Sequence, residues 1–424
     1  MTQPSSLEFP EVSRIRQELH REALADVARA VRAALAPLAV ADATKPGETV
    51  AVAVGSRGIS AIDTVVGSCI EFLREKRLDP FIVPAMGSHG GATAAGQRAV
   101  LEKLGISQAT MGVPVAADMT VECIDALANG TRIFFSQPAL AADHIVVINR
   151  VKPHTKFRAD IESGLCKMLT IGLGKVDGAT EFHRQAIRHG FGIIEDAAGL
   201  VLGRCPVLFG LALLEDGYGD LSRVAALPPA EMIAGEKVLL KTASEMMGRI
   251  PFDDIDILVV DRFGKDISGI GMDSNVTGRH RDLAGDFFTA PHVKRIFVRD
   301  LTAGSDGNGN GIGLADVTTR RFVEALDMKK TYKNSVTAIS PEKAAIPLTV
   351  ENDREAIAIC AATAGLATPA DARLVRILDT KHLQVLQISA ALATEAGANP
   401  RLKQESAWLP MEFDGAGNLR QFDV

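Results

Sequence analysis

Short apolar runs rich in β-branched residues alternate with segments of helical periodicity along the first half of the chain. Apolar residues at helical spacing among charges predict an opening helix over residues 14–35. Uninterrupted apolar runs then predict buried strands, and renewed helical spacing predicts the helices between them. The predicted strands are residues 48–54, 80–84, 144–149 and 206–214, and the predicted helices are residues 62–76 and 94–104. Parallel strands joined by crossover helices give this alternation, so the pattern predicts an α/β fold.

A second α/β unit is predicted to begin near residue 250. There a helical pattern rich in lysine and glutamate gives way to a Pro-Phe-Asp-Asp segment and a new apolar run. The predicted elements of this half are strands at residues 255–260 and 294–301 and helices at residues 320–326, 353–364 and 383–396. We therefore predict two α/β lobes, residues 1–250 and 251–424, with a cleft between them. One option left open is that the last residues pack back on the N-terminal lobe.

Three predicted strands end in polar loops that contain glycine or proline, and these loops hold Arg57, His89 and His154. Ligands of open α/β sheets bind beyond the carboxyl ends of the strands, so we expect the three loops to converge on one pocket. The planar fork of an arginine suits a carboxylate, and two imidazoles near it suit proton transfer. The residues alone predict an α/β enzyme that acts on a small organic acid.

Composition and charge exclude several classes of partner. The 424 residues include 46 Lys and Arg against 52 Asp and Glu, a formal net charge of −6, so no basic surface for nucleic acid is expected. No run approaches the roughly 18 apolar residues that cross a bilayer, and residues 1–8 lack a basic segment followed by an apolar stretch. We predict a cytoplasmic protein without membrane contact. The five cysteines are far apart, which predicts buried thiols rather than disulfides or a Cys-x-x-Cys metal site.

Two glycine-rich segments resemble ligand-binding loops without matching their spacing. Residues 306–311 imitate the start of a calcium loop, but its twelfth position is Val317, where a bidentate glutamate is needed. Residues 171–175 (Ile-Gly-Leu-Gly-Lys) lack the spacing of a phosphate-binding loop. We predict a glycine-rich turn at residues 306–313 and leave its role open.

Lys167 and His183 each have two interpretations from the residues alone. Lys167 lies between apolar residues just after Gly164, so either its stem covers apolar surface with the amine in water, or its amine is chemically used. Burial makes an amine nucleophilic, so a covalent link to a cofactor is reasonable chemistry. His183 lies in a segment that reads as helix, where a surface position is the ordinary interpretation.

Five short pieces of the chain, in their order and intervals, resemble the nickel-dependent lactate racemase family over nearly the whole chain. These pieces are Gly-Ser-Arg at residues 55–57, Gly-Ser-His at 87–89, Lys-Pro-His at 152–154, Ser-Gly-x-x-Lys at 163–167, and His183. The resemblance implies a two-lobed α/β enzyme with a nickel-pincer nucleotide, which is a pyridinium mononucleotide carrying two sulfur-bearing arms. It also implies cofactor-biosynthesis proteins as partners, without which purified protein would lack the cofactor.

The resemblance implies a role for each matching residue. Lys167 would carry the nucleotide covalently, and His183 would be the protein's nickel ligand. His89 and His154 would be the paired acid and base, one for each enantiomer of a 2-hydroxy acid. Arg57 would hold the substrate carboxylate. The N-terminal lobe would then carry the cofactor and the catalytic residues, while the C-terminal lobe would close the substrate cleft.

The C-terminal lobe departs from the family where lactate is contacted. Lys265 and the two residues after it match, and the resemblance makes Lys265 a substrate contact. Residues 268–272 (Ser-Gly-Ile-Gly-Met) replace the Tyr-Gln and following Lys expected there. Asn275, Thr277 and Arg279 are candidates for contacts with a larger or more polar acid. We expect a racemase or epimerase of a 2-hydroxy acid other than lactate.

Two other functions stay open. One is a hydrolase or lyase of a small organic acid that uses a simple divalent metal on His89, His154 and His183. The other is a non-catalytic protein of the same fold that binds a small acid. The complete set of an arginine, three histidines and a lysine argues against a pure binder, since binding alone needs neither an attachment amine nor a metal-facing imidazole.

Overall fold

The computed structural model describes residues 7–56, 58–281, 283 and 286–422. The chain divides into two compact units. The N-terminal unit consists of Arg21–His154 and Arg158–Met247, and the C-terminal unit consists of Gly248–Val424 together with Met1–His20 and Thr155–Phe157. This division places the opening twenty residues with the C-terminal unit, whereas the predicted boundary places them in the N-terminal lobe.

The secondary structure alternates strands and helices through most of the chain. The strands are β1 (Glu11–Gln17), β2 (Thr49–Val54), β3 (Asp79–Pro84), β4 (Val121–Ala126), β5 (Arg132–Ser136), β6 (His144–Arg150), β7 (Val207–Glu215), β8 (Leu221–Leu227), β9 (Asp254–Phe263), β10 (Arg279–His280), β11 (Phe287–Phe288), β12 (His292–Leu301), β13 (Val317–Thr319), β14 (Leu348–Val350), β15 (Leu374–Ile377), β16 (Val385–Ser389), β17 (Leu402–Gln404) and β18 (Leu409–Pro410). The α-helices are α1 (Val27–Leu35), α2 (Val40–Ala43), α3 (Ile62–Glu75), α4 (Ala94–Lys103), α5 (Gln108–Met111), α6 (Gln137–Leu140), α7 (Leu165–Lys167), α8 (Lys175–His189), α9 (Ile193–Arg204), α10 (Met232–Met246), α11 (Ser274–Thr277), α12 (Arg320–Glu324), α13 (Met328–Thr337), α14 (Asp353–Thr363) and α15 (Ala393–Ala398).

The N-terminal unit is built on a five-stranded sheet in the order β3-β2-β6-β7-β8. The first four strands are parallel, and β8 is antiparallel to β7. Strand β2 is buried from Val50 to Val54, as expected for a central parallel strand with helices covering both faces. The predicted α/β fold is confirmed. Because four strands run the same way, their carboxyl ends meet at one edge of the sheet.

The C-terminal unit has its own sheet, in the order β14-β13-β12-β9-β15-β16-β1-β17, with β18 paired to β1. Strands β14, β13, β12, β9 and β15 are parallel, and the remaining pairings are antiparallel. The interior of β9 is apolar and buried, with Ile257, Leu258, Val259 and Val260 inaccessible to solvent. This is a second α/β unit.

The predicted opening helix at residues 14–35 is wrong over its first part. Residues Glu11–Gln17 form β1, which pairs with β16 and β17 far along the chain, and the helix proper is α1. Val12, Ile15 and Leu19 are spaced as in a helix, whereas the strand buries Ser13, Ile15 and Gln17 on one face, and its remote pairing partners decide the structure. The helix begins after Asp26, whose carboxylate accepts from the backbone N–H of Arg29.

The predicted helix at residues 383–396 is also wrong over its first part. Its first half forms β16, in which Val385, Leu386 and Ile388 are fully buried, and helical structure begins only with a 3-10 turn at Ala390–Leu392 that leads into α15. Strand β16 lies between β15, the strand directly before it in the chain, and β1, which is near the other end of the chain. Local spacing of apolar residues does not carry that information.

Three smaller expectations concern single residues or elements. No helix in the described part of the chain is long and apolar enough to cross a membrane. All five cysteines are free, and Cys123 departs from the prediction of buried thiols because it is exposed. In the glycine-rich loop at residues 306–313, the Asp306 carboxylate pairs with Lys330 Nζ at 2.7 Å, so a lysine lies against the first oxygen of the calcium-like pattern.

Candidate functional site

The polar loops after β2 and β3 meet at the carboxyl edge of the N-terminal sheet. Ser56 follows β2 and His89 follows β3. These strands are neighbours, and a hydrogen bond joins Ser56 Oγ to Nδ1 of His89. The loops after β2 and β3 therefore meet, and convergence of all three loops on one pocket stays a prediction. Arg57, the predicted carboxylate ligand in the first of these loops, lies outside the described residues.

His154 lies in a loop that follows β6 and is closed at its base. The backbones of Lys152 and Ser163 pair across the loop, with N···O distances of 2.9 and 3.3 Å. Inside it, the carboxylate of Glu162 accepts from the backbone N–H of His154 and, at 3.2 Å, from that of Ala159. Burial raises the pKa of Glu162, although these backbone hydrogen bonds act in the opposite direction. Glu162 therefore shapes the loop that presents His154.

The decisive contact of the site joins His154 to Lys167. Nζ of Lys167 lies 2.6 Å from Nε2 of His154. Neither an ammonium nor an imidazolium has a lone pair with which to accept a hydrogen bond. At least one of the two groups is therefore neutral. Both side chains are half-buried.

Lys167 ends the short helix α7, whose start is held by two polar side chains. Asn149 Nδ2 donates to the carbonyl oxygen of Gly164 at 2.8 Å, and Oε2 of Glu236 accepts from the backbone N–H of Cys166 at 2.9 Å. A Cβ at Gly164 would clash with the Glu236 carboxylate, so glycine lets the carboxylate approach. Burial raises the pKa of Glu236 to about 7. Among the described residues, Oε1 of Glu236 has no hydrogen-bond partner.

Glycines bring the ends of β2 and β3 against the segment that follows Lys167. A Cβ added at Gly55 would lie 3.4 Å from Cε of Met168. The backbone N–H of Gly87 donates to the carbonyl oxygen of Gly172 at 3.0 Å. A Cβ added at Gly172 would lie only 2.8 Å from the carbonyl oxygen of Ala85. The loops of Ser56 and His89 therefore pack on the same stretch of chain that carries Lys167.

Lys175 and Gln97 form an internal support for the His89 loop. Lys175 is fully buried, and its Nζ donates to the carbonyl oxygen of Pro84 and, at 3.0 Å, to Oε1 of Gln97. Gln97 in turn donates from Nε2 to the carbonyl oxygen of Gly87 at 2.8 Å. Burial lowers the pKa of Lys175 to about 8. Lys175 does not act as the lysine of a phosphate-binding loop, because its amine faces backbone and amide oxygens.

His183, the predicted nickel ligand, lies on α8 in the same unit. Helix α8 packs against the Met168–Gly172 segment, which directly follows Lys167. The side chain of His183 is half-buried. Of its neighbours in sequence, Phe182 is buried and Arg184 is exposed. The structure thus places His89, His154, Lys167 and His183 in one compact unit, and their chemical roles stay predictions.

The predicted substrate contacts of the C-terminal unit follow β9. Lys265 Nζ donates to the carbonyl oxygen of Gly269 at 2.6 Å, and its contact with substrate stays a prediction. Asn275 Nδ2 donates to Oδ1 of Asp273 at 2.7 Å. Arg279 is engaged within its own unit, and its contact with substrate stays a prediction. Its guanidinium is buried, pairs with Asp316 at 2.6 Å and donates to three backbone carbonyl oxygens within its own unit.

The alternative of a simple divalent metal bound by three histidines can be compared with the described residues. Among them, no group of three or more His, Cys, Asp or Glu side chains is placed to hold a metal ion. A site on His89, His154 and His183 would need such a group. A nickel ion that is held mainly by atoms of a nucleotide needs only one protein ligand.

Comparison with known proteins finds a solved structure with a similar fold. No protein-family model and no curated protein matches the chain. Among solved structures, the lactate racemase apoprotein from Thermoanaerobacterium thermosaccharolyticum matches with a TM-score of 0.54 and 14% sequence identity, over 86% of this chain and 94% of that chain. The two proteins share a fold at a distance. Sequence identity this low supports the fold relationship and leaves activity and site chemistry to be argued from the residues.

The close approach of the Glu236 carboxylate to Gly164 predicts that one added methyl group lowers the stability of the fold. We expect Gly164→Ala to lower the free energy of unfolding by about 1–3 kcal/mol, because its Cβ would overlap the Glu236 carboxylate in a packed interior. Gly199→Ala is the control, since its Cβ would have no neighbour closer than 3.9 Å and alanine favours a helix by up to about 1 kcal/mol. Denaturant unfolding measures both. Equal stability of wild type and Gly164→Ala would contradict the contact.

The raised pKa of Glu236 predicts a dependence of stability on pH. Between about 4.5 and 7 the folded chain binds more protons at this carboxyl than the unfolded chain, so its contribution is favourable at low pH and is lost as pH rises through 7. We expect Glu236→Gln to gain on the order of 3 kcal/mol relative to wild type between pH 4.5 and pH 8. The neighbouring Cys166 thiol stays protonated there, because burial and Glu236 raise its pKa. Urea unfolding across this range measures the gain. Glu245→Gln, an exposed position on the same helix, should show no such trend, and a flat difference for Glu236→Gln would exclude the burial effect.

Proposed function

We propose that this protein is a racemase or epimerase of a 2-hydroxy acid, and that lactate is not its substrate. The observation that carries the proposal is the direct contact of the Lys167 amine with the His154 imidazole, at 2.6 Å, beside the sheet edge where His89 also lies. The fold shared with a lactate racemase apoprotein supports it. A pure binding protein has no need for an amine held against an imidazole.

Inversion of a 2-hydroxy acid needs two groups that exchange a proton with the same hydroxyl from opposite sides. Imidazoles suit this task because their pKa lies close to neutral pH. Nδ1 of His89 is engaged with Ser56 Oγ, so we assign the proton exchange with substrate to Nε2 of His89. His154 is the second proton carrier. Arg57 and Lys265 are the proposed ligands of the substrate carboxylate and of its other polar atoms.

A nickel-pincer nucleotide fits the residues present. The Lys167 amine can form an amide-type bond, and the His154 imidazole in contact with it is placed to take up the proton that the amine must lose to act as a nucleophile. His183 supplies an imidazole for nickel on a helix packed against the Lys167 segment. When bound, the group would supply hydride affinity that no side chain has. The proteins that make this cofactor are the proposed partners.

The same proposal accounts for the glycines of the site. Gly55, Gly87 and Gly172 let the strand ends and the Lys167 segment approach closely, which fixes the histidines and the lysine on a rigid support. Residues 268–272 lack the Tyr-Gln and lysine side chains that the family uses with lactate. A substrate with other polar groups is therefore proposed.

Attachment of the cofactor is tested first. Protein co-expressed with cofactor-biosynthesis enzymes should carry a nickel- and sulfur-containing adduct, and Lys167→Ala should carry none because the bond-forming amine is gone. Intact-mass and elemental analysis measure both. Lys103→Ala, an exposed position at the end of α4, is the control and should keep the adduct. An undiminished adduct on Lys167→Ala would refute the assignment.

Catalysis is tested separately by His89→Gln. We expect this variant to retain the adduct and to lose interconversion of enantiomers by at least about a hundredfold, as is usual when an acid or base is removed. A panel of 2-hydroxy acids, assayed for loss of optical purity with cofactor-loaded protein, provides the measurement. His189→Gln, an exposed histidine at the end of α8, should be as active as wild type. Unaltered turnover of His89→Gln would remove His89 from the mechanism.

A further inference from the structure

The Lys167 amine and the His154 imidazole are in contact in the chain by itself, before any group is attached. We propose that His154 accepts the proton that Lys167 releases when its amine attacks an acyl or thioacyl donor, so that the chain promotes its own modification. This inference rests on the proposed role of Lys167 as the attachment residue. It gives His154 a second function that precedes its role with substrate.

The step balances without an oxidant or a reductant. Neutral Nζ of Lys167 attacks the carbon of an acyl or thioacyl group that bears a leaving group. The Nζ–C bond forms, the bond to the leaving group breaks, and the leaving group departs with the electron pair. The proton on Nζ passes to Nε2 of His154 and then to the leaving group or to water. The 2.6 Å separation of Nζ and Nε2 is within the range needed for direct proton transfer.

Both ends of the pair are held in place by separate contacts. The His154 backbone is bound by the Glu162 carboxylate, and the Lys152–Ser163 pairing closes the loop around it. The Lys167 helix is held by Asn149 through Gly164 and by Glu236 through Cys166. A pair fixed from both sides loses little freedom on reaching the reactive geometry, which is how position alone accelerates a reaction.

Modification of the amine would release the imidazole for catalysis. An amide or thioamide nitrogen carries no charge and no basic lone pair, so it can no longer exchange a proton with Nε2 of His154 and retains only a single N–H donor. The imidazole then becomes available to a substrate hydroxyl. One histidine would thus serve two successive reactions, and its engagement by Lys167 would keep the unmodified chain from presenting a free base.

The test uses the unmodified chain and a small acyl donor, the N-hydroxysuccinimide ester of acetic acid, at neutral pH. Peptide mass spectrometry follows acetylation of Lys167 and of exposed Lys103 in the same sample. We expect Lys167 to react at least tenfold faster than Lys103 in wild type. His154→Gln should lower this ratio at least tenfold, and His189→Gln should leave it unchanged.

A second variant separates proton transfer from loss of structure. In His154→Ala, added imidazole should raise the ratio of Lys167 to Lys103 acetylation, because free imidazole can take the vacated position. A wild-type ratio near one, or a ratio that His154→Gln leaves unaltered, would overturn the inference. So would failure of imidazole to restore the ratio in His154→Ala when its thermal unfolding matches wild type. Neither readout depends on nickel, so failure here is distinct from absence of the adduct in the co-expression experiment.

Discussion

The hydrogen bond between the Lys167 amine and the His154 imidazole is the interaction on which the site depends. It requires at least one neutral partner, so it removes a positive charge from a pair that would otherwise repel. The two residues are thirteen positions apart and lie on separate short segments. The loop after β6 brings one, and the turn at Gly164 brings the other. Glu162 supports the first of these segments, and Asn149 and Glu236 support the second.

Buried polar groups provide that support at a cost in stability. Glu236 holds the start of the Lys167 helix with a carboxylate whose pKa is raised to about 7, and Lys175 holds the His89 loop with an amine whose pKa is lowered to about 8. Both shifts arise first from burial. Groups of this kind are concentrated at functional sites, where geometry is maintained against the preference of charges for water. Their presence beside the residues to which we assign catalysis supports the proposed function.

The parallel strands and the loops that follow them were predictable because their signals are local. Strands β2, β3 and β6 are apolar runs that end in glycine or proline with a polar residue, and the structure places them as expected. The apolar spacing around β1 and β16 predicts helices, and the pairing of these two strands with each other across the length of the chain makes them strands instead. The fold shared with the lactate racemase apoprotein at 14% identity agrees with the fold that the resemblance implies.

The supporting side chains of the site were not predictable. Ser56, Asn149, Glu162, Gln97 and Glu236 are polar residues in ordinary helical or loop patterns, and nothing in their spacing says that they face inward. Gly164 is the one signal in the sequence for this support, because a glycine before an apolar helix start suggests that another part of the chain approaches the backbone closely there. What approaches it is a carboxylate 72 residues further along the chain, which only the fold reveals.

Nitrogen-15 NMR of the histidine side chains tests the central contact most directly, because it needs neither cofactor nor substrate. The spectrum of wild type would be compared with that of Lys167→Met, which keeps the length of the side chain and removes the amine. The account predicts that the Nε2 signal of His154, assigned by its loss in His154→Gln, shifts when the amine is removed while the signals of His20 and His189 stay in place. An unchanged His154 signal would contradict the contact and, with it, the site built around it.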